Sequence, residues 1–473
     1  MFRILGFLII LGGAIAAQTP ASHPLVIPPA AQVSDRFDAT AATNAYLALV
    51  PAEQRRRTDA YFEGGYWLIL WDFLYGAAVS LALISTGLSA RMRALAERLT
   101  RLRPLQTMVY WTQYFLFASI ATFPLTVYEG FFREHQYGLS NQDFASWMGD
   151  QTKELLLGLV FGALAVAALF GIVRRLPRTW HLWGAALSIV FLMIGALIGP
   201  VFIAPLFNQY TVLKDQRVRD PILRMARANG IPVTEVYEFN ASKQSKRVSA
   251  NVSGFLGTTR ISLNDNLLNR CSPQAVEAVM GHEMGHYVMN HIYKGILFSM
   301  VTFAILFALL RRSLDWSLGR WGMLWKIRGV TDVAVLPLAV FLISLISLPL
   351  TPIENTFTRT QEFEADMFGL NAARQPDGEA EADLLLGEYR KLDPGPIEEW
   401  IFFDHPSGRT RIFAAIREPP LAAYLKIARL MASAMAWYPA SLGCRWSPGS
   451  NSARMRLGLA VSRVAASKST TAS

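Results

Sequence analysis

The run LLLGLVFGALAVAALFGIV occupies residues 155–173 and contains no charged side chain. About 20 consecutive apolar residues in an α-helix are enough to cross the hydrocarbon core of a bilayer. Arg174 and Arg175 follow directly, as basic residues often do at the end of a span. This stretch therefore predicts a membrane-spanning helix.

Other long apolar runs make the same prediction. Buried helices of a globular core can mimic one or two spans, but they do not account for six. The first residues, 1–17, resemble a signal peptide, although a short uncleaved anchor fits as well. We therefore expect a mainly α, polytopic membrane bundle of six to seven spans; the further runs lie at residues 66–88, 108–130, 182–204, 292–310 and 333–350.

Composition supports a membrane protein and excludes other classes. Of the 473 residues, 52% are hydrophobic and 17% are charged, and the formal net charge is +10. The basic residues cluster at the ends of apolar runs, as in 91–103 and 311–328, which is typical of membrane flanks, so we expect no nucleic-acid partner. Cys271 and Cys444 are too few for a disulfide framework.

The segments between the spans differ in character. Residues 18–65 are polar and contain prolines, which favours a loop outside the bilayer, and 66–204 form the N-terminal membrane helices. Residues 205–291 alternate polar and apolar side chains and predict a small α+β insert with strands near 233–239, 247–255 and 258–263. A helix that begins near the Ser272-Pro273 cap and runs through His291 is predicted to follow them. Beyond residue 420 the chain is rich in Ser, Ala and Arg, so we expect 421–473 to be a peripheral or disordered tail.

The sequence Gly281-His282-Glu283-Met284-Gly285-His286 carries the strongest chemical signal. On a helix, His282 and His286 face the same side and can bind one metal ion, while Glu283 points beside the open position. Zinc with three protein ligands keeps one position for water and lowers the pKa of that water. Glu283 would then be the general base.

A third ligand is needed, because two histidines around a glutamate also occur by chance. His291 lies about 180° round a continuous helix from His282, so we interpret it as a helix-end or packing residue. Glu362 and Asp366 are four residues apart on a later predicted helix. Glu362 can bind the metal while Asp366 orients a ligand imidazole, although a solvated acidic helix face is the simpler alternative.

In these motifs, and in their order and spacing, the chain resembles the integral-membrane CAAX prenyl endopeptidases, which are gluzincins. The matching segments are 134–138 (EHQYG), 203–207 (IAPLF), 242–251, 281–286, 359–366 (RTQEFEAD) and 405–412. The resemblance implies one zinc ion, a metallopeptidase domain over 205–420 that includes the spans 292–310 and 333–350, and Glu362 as the third ligand with Asp366 as its companion.

The resemblance also implies residues around the substrate. His405 and Arg411 would lie near the scissile carbonyl or the peptide, although a helix-capping role is the alternative for His405. The stretch Ser249-Ala250-Asn251 would pair with an extended peptide, or it is an ordinary edge strand. This chain departs here from eukaryotic members, which have Asn-Ala-Tyr.

The resemblance implies a zinc endopeptidase acting on prenylated or otherwise membrane-delivered peptides. A quality-control protease for membrane proteins has the same chemistry, and an inactive membrane chaperone or scaffold is a further alternative. The family implies a cytoplasmic site, whereas the basic loops place the zinc helix on the opposite, periplasmic side of a bacterial inner membrane. We follow the charge argument because it uses this sequence.

Overall fold

The computed structural model describes residues 25–417, except residues 33, 36 and 255–258. The predicted signal peptide or anchor at 1–17 and the predicted tail at 421–473 lie outside the described residues.

The N-terminal part of the described chain is helical. Helix α1 (Ala39–Ala48) begins at Asp38, whose carboxylate accepts hydrogen bonds from the backbone N–H groups of Thr40 and Ala41. Helix α2 (Ala52–Ser85) follows after a short turn. The prediction of a loop over 18–65 is therefore wrong for residues 39–48 and 52–65, because the polar side chains there lie on helices rather than in irregular chain.

Helices make up most of the structure. The remaining helices up to the insert are α3 (Leu88–Leu99), α4 (Arg103–Val127), α5 (Phe144–Arg175) and α6 (Trp180–Ile198). The helices of the insert are α7 (Gln216–Ala228), α8 (Asp265–Arg270) and α9 (Pro273–Val288). The last helices are α10 (His291–Trp321), α11 (Leu336–Ser347), α12 (Thr351–Ala373), α13 (Pro376–Leu386), α14 (Pro396–Phe402) and α15 (Gly408–Ile416).

Among the described residues, six helical runs are long and apolar enough to cross a membrane. Large apolar side chains point outward from them, including Trp67, Ile120 and Leu297, as expected of surfaces that face lipid. The prediction of a polytopic helical bundle with a small α+β insert is confirmed; the runs are Ala52–Ser85, Arg103–Gln136, Phe144–Arg175, Trp180–Leu206, His291–Trp321 and Val333–Ala373.

The basic loops meet at one end of the bundle. Arg174 donates a hydrogen bond to the carbonyl of Arg103, at 3.3 Å, and Arg328 donates to the Glu97 carboxylate, at 2.7 Å. Buried Arg93 forms an ion pair with Asp332 at this same end. Helix α10 has 31 residues and is therefore roughly 46 Å long. It carries the chain from the insert, at the opposite end of the bundle, to this basic end.

The insert contains one four-stranded sheet in the order β1-β2-β4-β3. Its strands are β1 (Tyr210–Val212), β2 (Val236–Phe239), β3 (Ala250–Ser253) and β4 (Arg260–Asn264). Strands β2 and β4 are parallel, and the two outer pairs are antiparallel. Sequence patterns predicted the last three strands but missed β1, which has three residues and no alternation. Strand β3 is an edge strand, paired on one side only among the described residues.

Helix α9 packs against β3 and against helix α12. It begins where expected, since the Ser272 hydroxyl accepts a hydrogen bond from the backbone N–H of Ala275. It ends earlier than the predicted end at His291. The last helical residue is Val288, Asn290 has a left-handed backbone with φ of 58°, and α10 then starts at His291. Asn is one of the few side chains that tolerates this conformation.

Candidate metal centre

The two histidines of the HExxH sequence lie on adjacent turns of α9 and face each other. The Nε2 atoms of His282 and His286 are 3.1 Å apart. Two imidazoles can present lone pairs to one cation in this way, because residues four apart on a helix share a face.

Glu362 completes the set from α12. Its Oε2 lies 3.3 Å from His282 Nε2, and its Oε1 lies 3.6 Å from His286 Nε2. Glu362 is 8% exposed, and its Oε2 has no hydrogen-bond partner. A buried carboxylate oxygen without a partner is costly unless a cation meets it. The packing of α9 on α12 therefore brings together the three predicted ligands, although Glu362 lies 80 residues after His282 and 76 after His286 in the sequence.

The spacing of these atoms fits zinc. With bonds of about 2.0–2.2 Å, two ligand atoms of a tetrahedral zinc site stand roughly 3.3–3.5 Å apart. The separations of 3.1, 3.3 and 3.6 Å between the two Nε2 atoms and the carboxylate oxygens lie around that value. Two nitrogens and one carboxylate also form a donor set typical of a catalytic zinc site with one open position.

Asp366 orients His282 from behind. Its Oδ1 accepts a hydrogen bond from His282 Nδ1, at 2.7 Å, which leaves the Nε2 lone pair directed at the metal position. Asp366 is 2% exposed and also accepts from Arg411, whose Nε lies 2.9 Å from its Oδ2. The spacing of four residues on α12 places Glu362 and Asp366 on one face, as the sequence indicated.

Arg411 lies on the far side of Asp366 and not at the open coordination position. Its guanidinium contacts Asp366, Glu379 (3.1 Å) and Asp383 (2.9 Å), and the side chain is buried. The expectation that Arg411 approaches the peptide is therefore not supported by its contacts. Sequence reasoning missed Glu379 and Asp383, since two acidic residues on a helix give no signal of burial.

Three buried carboxyl groups surround one guanidinium. Burial raises the pKa of Asp383 well above its ordinary value, against the opposing effect of Arg411, and also raises the pKa of Glu379. Atoms of His282, Asp366 and Glu379 are close enough together to suggest a second cation site. Arg411 already supplies the positive charge there, so this group is not a metal site.

Glu283 follows His282 directly on α9. Burial raises the pKa of its carboxyl group, while the neighbouring imidazoles lower it. A general base for peptide hydrolysis works best with a pKa closer to neutral than that of an exposed glutamate. The environment of Glu283 thus matches the role that the sequence predicted.

His405 stands at the edge of the three ligands. Its Nε2 is 3.2 Å from Glu362 Oε2, and its Nδ1 is 2.8 Å from Asp404 Oδ1. Burial and the nearby Arg390 lower the pKa of His405. His405 does not cap a helix, since Ser407 caps α15, and its role near the scissile carbonyl stays a prediction.

His291 was assigned no part in the site from sequence, yet it contacts a candidate ligand. Its Nδ1 lies 2.8 Å from the Nδ1 of His286. The prediction assumed one continuous helix, and the turn at Asn290 overturns that assumption. His291 is the first residue of α10, as a helix-end residue should be, but its ring points back to the metal centre.

The predicted substrate strand lies next to this centre. Ala250 and Asn251 belong to β3, and Ser249 precedes it. Strand β3 packs on α9 and leaves its outer edge unpaired by any described strand. An extended peptide can hydrogen-bond to such an edge. The substrate-binding role of these residues stays a prediction.

A buried HExxH helix, a carboxylate ligand from a later helix and an edge strand beside them define a gluzincin-type metallopeptidase in a membrane bundle. Comparison with protein families identifies the particular group. Residues 212–419 match the model of peptidase family M48, and residues 39–209 match the model described as "CAAX prenyl protease N-terminal, five membrane helices". The chain belongs to the CAAX prenyl protease family of M48 metalloproteases.

Individual relatives agree. The chain is 30% identical to the Bacillus subtilis (strain 168) protein described as "uncharacterized metalloprotease YhfN", over 73% of this chain and 83% of that one. It is 29% identical to CAAX prenyl protease 1 of Saccharomyces cerevisiae, over 63% and 69%. The crystal structure of S. mikatae Ste24p has the same fold, with a TM-score of 0.67 at 22% identity over 78% of this chain and 89% of that one. The protein is therefore an integral-membrane metalloprotease.

Proposed function

We propose that this protein is a zinc endopeptidase whose metal is held by His282, His286 and Glu362. The observation that carries the proposal is the convergence of two Nε2 atoms and the two oxygens of the buried Glu362 carboxylate at distances of 3.1–3.6 Å, with Oε2 lacking a hydrogen-bond partner. When bound there, zinc would polarise the scissile carbonyl and activate a water molecule.

The protein's own residues supply the rest of the reaction. Glu283 takes a proton from the attacking water and delivers it to the leaving amine, and its raised pKa suits both transfers. Asp366 and Arg411 hold the His282 ring in place. His405 lies where it can contact the oxygen of the scissile carbonyl, since its Nε2 borders the same edge of the site.

Strand β3 would hold the substrate. Backbone hydrogen bonds to the outer edge of β3, which begins at Ala250, would fix an extended peptide with little dependence on its side chains. The Ser249 N–H and C=O are already hydrogen-bonded to Asn264 on the β4 side, so Ser249 would contribute through its position rather than its backbone groups. The surrounding spans favour peptides that arrive through the membrane. The names of the eukaryotic relatives support C-terminal CAAX-type peptides carrying a prenyl group as the substrate class.

The metal centre would face the periplasm of a bacterial inner membrane. The basic loops and the centre lie at opposite ends of α10, which is roughly 46 Å long. The end of a membrane bundle that is rich in Lys and Arg normally remains in the cytoplasm. Charge therefore supports the opposite side for the zinc helix.

Hydrolysis by the purified protein tests the proposal. We expect cleavage of a farnesylated CAAX peptide, loss of cleavage after chelation of zinc, and recovery when zinc is restored. Glu283→Gln should retain zinc and lose activity. Glu277→Gln on the same helix is the matched control, since Glu277 contacts Gln375 and no candidate ligand. Full activity of Glu283→Gln would refute the assigned base, and equal cleavage of the unprenylated peptide would refute the lipid preference.

A further inference from the structure

The second histidine of the metal centre has a chain of partners of its own. His286 Nδ1 lies 2.8 Å from His291 Nδ1, and the far nitrogen of His291, Nε2, lies 3.0 Å from Glu364 Oε2. Lys294 donates a hydrogen bond to this same oxygen of Glu364. His291 is 5% exposed and the Glu364 side chain 9%, so water does not compete freely for these bonds.

Only one arrangement of protons satisfies this chain when a metal is bound. His286 must present the lone pair of Nε2 to the metal, so its proton is on Nδ1. That proton is donated to His291 Nδ1, which must therefore be the acceptor. The proton of a neutral His291 is then on Nε2 and is donated to Glu364. Every donor meets an acceptor, and no extra proton is required.

We propose that His291 is a positioning residue that fixes the tautomer and ring orientation of His286, and that Glu364 holds His291 in turn. This inference rests on the proposed zinc function. It assigns to His286 what Asp366 provides directly for His282, a carboxylate behind the ligand ring, here with one imidazole in between.

The backbone explains how His291 reaches this position. The left-handed Asn290 reverses the chain between α9 and α10, and His291 follows it directly. Glu364 lies on α12 between Glu362 and Asp366, so one helix carries a metal ligand and the groups that support both histidines. Partners of this kind usually change metal affinity by about 10–100-fold when they are removed.

A purely structural role predicts something different. If His291 only joins α9, α10 and α12, its removal should lower the thermal stability of the zinc-free protein and leave the ligand field of the metal unchanged. If it positions His286, the metal itself should report the change. Two measurements separate these possibilities: zinc affinity, by competition with a chromophoric chelator, and the visible absorption bands of the Co²⁺-substituted protein.

His291→Phe keeps the ring volume and removes both nitrogens. We expect it to weaken zinc binding by about 10–100-fold and to shift the cobalt bands. His291→Asn keeps an acceptor near the position of Nδ1 and should recover part of the affinity. Glu364→Gln should have a smaller effect in the same direction. The matched control is His181→Phe in the first turn of α6, where the imidazole contacts Arg311 at the other end of the bundle.

The outcomes distinguish this inference from the proposed function. Zinc affinity and cobalt bands of His291→Phe that equal those of the parent protein would overturn the positioning role alone. Loss of affinity that His291→Asn partly restores, with His181→Phe unchanged, would support it. A parent protein that binds no zinc and cleaves no peptide would overturn the proposed function, and the inference with it.

Discussion

Gly369 on α12 lies so close to His282 on α9 that a Cβ atom on Gly369 would stand 2.6 Å from the His282 backbone nitrogen. Gly281 is equally confined, since its Cβ would meet the Gly369 carbonyl oxygen at 2.9 Å. Gly285 faces Ala365 in the same way, one turn further along. Small residues four apart on both helices thus let the two backbones touch. This contact sets the distance between the histidines and Glu362.

Gly369→Ala tests this packing. The added methyl group has no room against backbone, so we expect a loss of about 1–3 kcal/mol in the free energy of unfolding and a lower zinc content after purification. Thermal unfolding and metal analysis measure both effects. Gly295→Ala is the control, because nothing lies within 4 Å of its Cβ position. Unchanged zinc content in Gly369→Ala would contradict the importance of the close approach.

Asp366→Asn tests the support of His282. An amide can present its NH₂ group to the imidazole and favour the wrong tautomer, so zinc affinity should fall by about 10–100-fold. Arg411→Lys should act in the same direction, because a single ammonium group cannot replace the two-point contact with Asp366. Chelator competition measures the affinity. Retention of parental affinity in both variants would show that His282 needs no such partner.

Asp383→Asn tests the protonation of the buried carboxyl cluster. Burial raises the pKa of Asp383 in the folded protein, so above about pH 4 the folded state binds this proton more strongly than the unfolded state does. Stability should therefore decline as the pH rises above that value, and Asp383→Asn should reduce the decline. The melting temperature from about pH 4 upward measures the slope. An unchanged slope in the variant would contradict a raised pKa of Asp383.

Cysteine labelling tests the side of the membrane. Lys214, in the insert, and Arg101, at the basic end, are both exposed and serve as positions for single cysteines. With Cys444 replaced by Ser, a membrane-impermeant maleimide added to intact spheroplasts should label Lys214→Cys and not Arg101→Cys. The reverse pattern would place the metal centre in the cytoplasm. Buried Cys271, whose pKa is raised to about 12, should stay unlabelled in both.

The sequence predicted the features that depend on local pattern. Each apolar run lies in a helix, the Ser272 cap begins α9, and the spacings of His282 with His286 and of Glu362 with Asp366 place each pair on one face. Helical periodicity and hydrophobic length determine these features within one segment. These features can therefore be predicted without knowledge of the tertiary structure.

The features that were missed depend on contacts between distant segments. Arg411 was expected beside the peptide, but three carboxyl groups from α12 and α13 hold it behind Asp366. His291 was excluded from the site on helical geometry, and one left-handed residue, Asn290, redirected it. Neither a buried counter-charge nor a single backbone angle leaves a periodic signal in the sequence.

The two halves of the metal centre are attached to different spans. The turn at Asn290 joins the two histidines to α10. Glu362 belongs to a different helical run, Val333–Ala373, which begins at the opposite end of the bundle. A change in the tilt of one helical run relative to the other changes the distance between the two histidines and the Glu362 carboxylate. We therefore expect the thickness of the surrounding lipid, which affects the tilt of long helices, to influence the spacing of the three candidate ligands.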